Sequence, residues 1–360
     1  MKKMGRRIAA FLLAASASVG LLAGCGETPE TKDSDIMTNA PIEEPKQEEK
    51  QIVNPLTGEA GYDEALLTQR PVAVMVNNIK VSLPQSGISA ADIIYELPVE
   101  GGITRLMAVY SDYRSMPTVG SVRSCRHDYV ELALPLDAVY VHFGGSDLGK
   151  QAIQKYGLDD IDGLALSNTA FWFDEQRHQS KATEHCWYTS GELVQKGIEK
   201  KGFNMTMDSP LPSLFQFAKD GQETKAAENA LAAEVVSVPM SSSVTATFQY
   251  NEATGLYRKG QYGSDHVDAA TGEAVEVKNV FLMYTKVDTV DQAGHKDAEL
   301  SSGKGYYLTG GKAVPVTFQK SGADGMIKVL SADGSEQTVT PGKSWFCVIP
   351  QGEESKLEMK

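Results

Sequence analysis

Six of the seven arginines that follow Cys25 lie between Arg70 and Arg177, and the tightest group is Arg123 and Arg126, with His127 next in line. A guanidinium presents a flat fork of donors that grips a carboxylate or phosphate through two parallel hydrogen bonds, so this concentration points to an anion. The group lies in a turn after Gly120 that opens a predicted helix, where free N–H groups and the helix dipole also favour negative charge. Arg105, just past Gly101-Gly102 at the start of a predicted strand, is placed to join them. Glu96 and Glu100, with Asp92 and Asp128, are the carboxylates that would pair with these arginines if the group were purely structural.

A second candidate is the turn His142-Phe143-Gly144-Gly145-Ser146-Asp147 between a strand and a helix. Its glycines let the backbone approach a ligand, His142 could touch a ligand or move a proton, and Ser146 or Asp147 can cap the helix. It is neither a serine-hydrolase elbow, since Ser146 lacks the flanking glycines, nor a phosphate-binding Walker loop, since Lys150 is misplaced. His178, Glu184 and His185, with Asp174 nearby, carry ligand-type side chains, but the gap between the histidines does not match a helix-borne metal pair. No metal and no cofactor is expected. Cys125, Cys186 and Cys347 are far apart and odd in number, which supports neither a disulfide framework nor a structural metal; Cys125, beside Arg126 and His127, or Cys186 could be a nucleophile if a histidine lowered its thiol pKa. Trp345, Tyr306 and Tyr307 sit in an alternating pattern and are expected in the core rather than on a sugar-binding platform.

The elements that must hold these residues are mostly strands. Val72 to Val76, Ile93 to Leu97, Ile103 to Tyr110 and Ala138 to Phe143 are short runs of Val, Ile and Tyr bounded by turn residues. His127 to Leu134, Leu148 to Tyr156 and Glu192 to Lys200 have apolar residues at helical spacing. Such a mixture, without strict alternation, suggests an α/β or α+β sandwich with helices covering a sheet. Lys219 to Glu234, charged and rich in alanine, marks a break. Beyond it Thr245 to Tyr250, Val280 to Thr285 and Trp345 to Ile349 read as strands, with hairpin signals at 251–255, 309–311 and 332–334. The expected organisation is a first domain over 54–218, a linker over 219–234 and a β-rich domain over 235–360.

Residues 1–24 read as an export signal: four basic residues, an apolar run from Ile8 to Ala23, then Leu22-Ala23-Gly24-Cys25. The run is too short to span about 30 Å of hydrocarbon comfortably, and small residues before a cysteine suit a signal peptidase. Cys25 is the expected lipidation site, and two or more acyl chains anchor a protein stably where one does not. Residues 25–53 form an acidic tether with too little apolar content to order itself. The full chain carries −13. Residues 1–24 hold four basic residues and no acidic one, so the rest carries 30 Lys and Arg against 47 Asp and Glu, a net charge of −17. Such a charge excludes a general affinity for nucleic acid and leaves the acyl chains as the means of membrane attachment, on the extracytoplasmic face.

The order of several motifs resembles one family. Asn54-Pro55-Leu56-Thr57-Gly58, Arg70-Pro71-Val72-Ala73-Val74-Met75, Pro84-Gln85-Ser86-Gly87, Ala91-Asp92-Ile93-Ile94-Tyr95-Glu96, Glu100-Gly101-Gly102-Ile103-Thr104-Arg105, Gly120-Ser121-Val122-Arg123-Ser124, Tyr140-Val141-His142-Phe143-Gly144-Gly145-Ser146 and Gly342-Lys343-Ser344-Trp345 follow one another as in the YerB-like family of bacterial lipoproteins. The resemblance implies a three-layer β/β/α sandwich for the first domain, a smaller, mostly β second domain and attachment to the outer face of the membrane. The chain departs from the family pattern at Asn77, where an aspartate is expected, and at Glu184-His185-Cys186, where Pro-His-Asn is expected. Arginines and turns are what a binding module needs, so the leading expectation is a module for an anionic envelope ligand or a partner protein, using Arg105, Arg123, Arg126, His127, His142, Ser146 and His185. The alternatives are an envelope enzyme acting on cell-wall polymer, with His142 or His185 as acid–base, and a purely structural lipoprotein.

Overall fold

A computed structural model describes residues 51–219, 222, 224 and 230–360; the signal, Cys25, nearly all of the tether and half of the linker lie outside the described residues. The molecule is mixed α and β, mostly strands with few helices. Its largest sheet has eleven strands. In chain order these are β1 (Val72–Asn77), β2 (Ile93–Pro98), β3 (Thr104–Tyr110), β4 (Val139–His142), β5 (Asp160–Asp162), β6 (Leu231–Ala232), β7 (Asn279–Thr285), β8 (Ser302–Thr309), β9 (Lys312–Gln319), β10 (Lys328–Leu330) and β11 (Ser344–Pro350). They lie side by side as β6-β9-β8-β7-β11-β2-β3-β1-β4-β5, with β10 paired to β9. Among the described residues five α-helices accompany them: α1 (His127–Ala133), α2 (Asp147–Tyr156), α3 (Gly163–Ala170), α4 (Glu175–His178) and α5 (Gly191–Lys201).

The central strands β1, β2 and β3 are buried at every position and mostly apolar, because both faces of the sheet are covered. Val72, Val74 and Val76 of β1 join one core, which includes Val194 and Ile198 of α5 and Val236, Phe248 and Tyr257 from a second, six-stranded sheet. Ala73 and Met75 join the other, with Tyr129 and Val130 of α1 and Ala152 of α2. The second sheet is built on Val235–Pro239, Thr245–Asn251 and Leu256–Gln261. The hairpin expected at 309–311 joins β8 to β9, and Gly310 and Gly311 supply the two positive φ angles, 56° and 71°, that a two-residue turn of this hand requires.

The sequence regions on either side of 219–234 do not build separate large sheets. β11, near the C-terminus, inserts between β7 and β2 and runs parallel to both, with Trp345 opposite Ile94 and Val280. Residues expected to form a separate second domain therefore share both cores with 54–218. The physical reason is that β2 and β7 are both too apolar to leave an edge in water, and β11, with all but its last residue buried, covers both at once.

Candidate functional site

The arginine site is assembled where β1, β2 and β3 meet the segment that leads into α1. Asn77, the last residue of β1, stands opposite Arg105, the second residue of β3, and Arg105 stands opposite Leu97 of β2 on its other side. The turn between β2 and β3 needs glycine, because Gly101 and Gly102 hold φ of 73° and 70°, a region that side chains with a Cβ rarely enter. That turn sets Glu100 against the arginines. Arg126, which precedes α1, donates through Nε to Glu100 Oε2 at 3.0 Å, again through Nη2 to Oε1, and through Nη1 to the Cys125 carbonyl at 2.7 Å. Arg105 is only 1 % exposed. Its Nη2 is 3.7 Å from Glu100 Oε1, its Nη1 donates to the Ser124 carbonyl at 3.3 Å, and its enclosed Nε has no partner among the described residues. Arg123 is half-buried, and its Nε is also enclosed without a partner.

The charges register this crowding. Burial and the neighbouring Arg126 push the Arg105 guanidinium down to about 10, with the Glu100 carboxylate opposing the shift and Arg123 adding to it. Burial lowers Arg123 too, with Glu184 and Glu100 acting against it and Arg126 with it. Burial alone would raise the Glu100 carboxyl, but the hydrogen bonds from Arg126 and the charges of Arg105 and Arg126 bring it down to about 2. His185 closes another side. Its Nδ1 lies 2.8 Å from Asn77 Nδ2 and its carbonyl accepts from Arg177 Nε at 2.9 Å. Burial holds its imidazole below the usual range, Glu184 opposes this, and Arg123, Arg177 and Lys181 reinforce it. A neutral ring that accepts at Nδ1 keeps its proton on Nε2.

The other sequence candidates go elsewhere. His127 starts α1 but turns from the arginines to two carboxylates, with Nε2 3.1 Å from Asp297 Oδ1 and 3.4 Å from Asp128 Oδ1. His142 is pinned inside its own turn, Nδ1 2.8 Å from the Gly144 carbonyl and Nε2 3.2 Å from Asp160 Oδ2. Ser146 caps α2, its Oγ accepting from the Gly149 N–H at 3.1 Å. Glu96, expected as an acidic partner of the arginines, instead accepts from Trp345 Nε1 at 3.0 Å, Thr104 Oγ1 at 2.8 Å and Asn78 Nδ2 at 3.1 Å, and lies 3.7 Å from Lys259 Nζ. β2 aims Glu96 into the core shared with the second sheet, so the side chain meets residues from beyond the linker. Asp174 caps α4 by accepting from the Arg177 N–H at 2.8 Å, and His178 faces the Lys181 carbonyl. The three described cysteines are free and buried, and burial pushes the Cys125 thiol up to about 12.

Sequence reasoning passed over Arg177 and Lys259. Arg177 joins the site by bridging the His185 and Ser82 carbonyls. Lys259 is fully buried, and its signal was the alternation Tyr257, Lys259, Gln261, which puts all three on the inner face of one strand.

Comparison with known proteins identifies the lineage. Residues 56–204 match the domain described as "Protein of unknown function (DUF3048) N-terminal domain", and 236–346 match the corresponding C-terminal domain. The chain is 31% identical over 303 residues to "Putative lipoprotein YerB" of Bacillus subtilis (strain 168), covering 84% of this chain and 87% of that protein. The crystal structure of YerB from Bacillus subtilis superposes with a TM-score of 0.74 at 28% identity, over 86% of this chain and 100% of that one. Among the described residues no helix is long and apolar enough to cross a membrane. With both domains matched in order and a relative of this identity aligned over most of its length, the chain belongs to the DUF3048 family, which includes a protein named as a lipoprotein.

Proposed function

We propose that this protein is a lipid-anchored, extracytoplasmic binding module whose ligand is an anion held by Arg105, Arg123 and Arg126, with His185 and Arg177 at the margin. The observation that carries the reading is the imbalance at the site. Arg105 and Arg126 both meet Glu100, whose charge also acts on Arg123; Arg105 and Arg123 each hold an enclosed Nε with no partner among the described residues, and Glu184 is the other carboxylate that acts on Arg123. Buried donors of this kind are costly to leave unpaired, and an anion satisfies donors and charge together. Lipidation of Cys25 and attachment to the outer membrane face belong to the same reading. So does the three-layer β/β/α arrangement of 54–218, supported by cores on both faces of the large sheet. The enzyme reading loses ground because Asn77 gives His185 an amide rather than a carboxylate, and both ring nitrogens of His142 are engaged.

The test is thermal stability at constant ionic strength against phosphate, sulfate, polyphosphate and muropeptides. A bound anion stabilises by mass action, about 2.7 kcal/mol at a hundredfold excess over its Kd. Arg123→Ala should remove most of that gain, because a charged hydrogen bond contributes about 1.5–3 kcal/mol. A wild type indifferent to every anion, with Arg123→Ala destabilised equally in all buffers, makes the arginines structural and sinks the reading. The anchor is tested separately: Cys25→Ala should accumulate as precursor, and mass spectrometry showing an unmodified mature N-terminus refutes it.

A further inference from the structure

The register of the large sheet builds a tyrosine-rich corner on β7, β8 and β9, with β11 and β2 between β7 and β3, the strand that carries Arg105. Across β7, β8 and β9, Tyr284, Lys304 and Thr317 stand opposite one another, and Leu282, Tyr306 and Pro315 form the next row but one. Rows two residues apart project to the same face. Leu282 and Tyr284 of β7 are buried in the core, whereas along the rows toward the sheet's edge Tyr306 and Pro315 are half-buried and Lys304 and Thr317 exposed. The cover over this face ends there. What remains is a cavity of about 380 Å³ walled by Tyr284, Lys304, Tyr306, Pro315 and Thr317, with Glu354 contributed by a turn near the C-terminus. Its volume falls within the roughly 300–1,000 Å³ of small-molecule sites.

The chemistry of the wall narrows the occupant. Two tyrosine rings and a proline ring form an apolar surface. Lys304 Nζ lies 3.8 Å from Glu354 Oε1, so the mouth holds one charge of each sign. A wall without net charge offers an anion no attraction. An acyl chain would desolvate the ion pair without returning a hydrogen bond. A sugar ring meets both demands, since its C–H faces lie on the exposed part of the aromatic wall while its hydroxyls reach Lys304, Glu354 and Thr317. We infer that this corner binds a neutral oligosaccharide. The inference does not depend on the anion site.

The test titrates the full-length protein in detergent with chitotetraose and cellotetraose, with hexaglycine as the peptide control, by calorimetry and saturation-transfer NMR. Wild type binds at least one of the sugars in preference to the peptide. Tyr306→Ala weakens binding about tenfold, the scale of a lost aromatic contact together with its burial, and Tyr306→Phe retains it. Arg123→Ala binds sugar as wild type does, even if anion binding fails. Should Tyr306→Ala not fold, Lys304→Ala, whose side chain is 70% exposed, takes its place and must also weaken binding. No binding of either sugar to wild type, binding unchanged by the wall substitutions, or preference for hexaglycine overturns the inference.

Discussion

Removing the charge of Lys259 should be one of the most costly single substitutions in this protein. Lys259 and Glu96 are both completely buried, with Nζ 3.7 Å from Oε2. Lys259 also donates to the Gly260 carbonyl at 3.1 Å and lies 5.0 Å from the centre of the Trp345 ring. Lys259→Met keeps most of the volume and leaves Glu96 as a buried carboxylate with neutral donors alone. Removing one partner of a buried pair costs about 3–5 kcal/mol, against about 0–1 kcal/mol for an exposed pair. Three hydrogen bonds remain on Glu96, so the lower end applies, about 3 kcal/mol. For the compact unit Lys50–Lys360, an unfolding entropy of about 2.1 cal/mol/K per residue converts this to a fall in Tm of roughly 5 °C. The double variant Glu96→Gln, Lys259→Met removes both charges and keeps an acceptor for Trp345, so it should recover most of the loss. Calorimetry and urea unfolding of wild type, both single variants and the double variant give the coupling directly. If Lys259→Met costs under about 1 kcal/mol, the value of an exposed pair, or if the double variant is no better than Lys259→Met, the reasoning fails.

Four further outcomes are expected. Burial pushes the Asp128 carboxyl up to about 7, against the pull of His127 and the Ala298 N–H. The folded state therefore favours the protonated form, and that stabilisation is present below the ordinary carboxylate range and lost as pH rises through about 7. Melting scans from about pH 5 to pH 8 should show wild type losing Tm relative to Asp128→Asn, which still offers Ala298 an acceptor; parallel profiles refute this. Glu100, held down to about 2, contributes stability that is complete above the ordinary carboxylate range and lost as pH falls toward about 2, so Glu100→Gln should lose roughly 1.5–3 kcal/mol near neutral pH and little in acid. Sulfate should restore part of that loss by replacing the missing negative charge. Cys125, Cys186 and Cys347 should resist alkylation until the protein unfolds, because all three are buried and burial raises each thiol; rapid native labelling of any one contradicts its placement. Proteolysis within 219–234 should give a nicked protein whose halves stay together until denatured, since β11 is held between β2 and β7; two halves that separate on a sizing column and refold alone would disprove a shared sheet.

The local elements were legible because they depend on neighbours in the chain. Val72 to Val76, Ile93 to Leu97 and Leu148 to Tyr156 were each placed to within a residue or so of the observed element, since uninterrupted apolar runs and helical spacing are properties of short windows. The arginine-rich stretch and the glycine turn before Arg105 were legible in the same way, and Arg105, Arg123 and Arg126 do come together. Which carboxylate meets which cation was not. Glu100 reaches the arginines because the Gly101-Gly102 turn folds back on β3, whereas Glu96, four residues earlier, points into a core completed by Lys259 and Trp345 from the far side of the linker. His127 and Arg126 are adjacent in sequence and face different partners, because one precedes α1 and the other begins it. The placement of β11 between β2 and β7 likewise answers to the matching of distant apolar edges, which no window of the sequence contains. Composition and periodicity thus determined which residues are strand, helix, core and cation, while the pairing of buried charges was decided by tertiary structure, because a buried ion is stable only beside a partner that the fold itself brings from elsewhere in the chain.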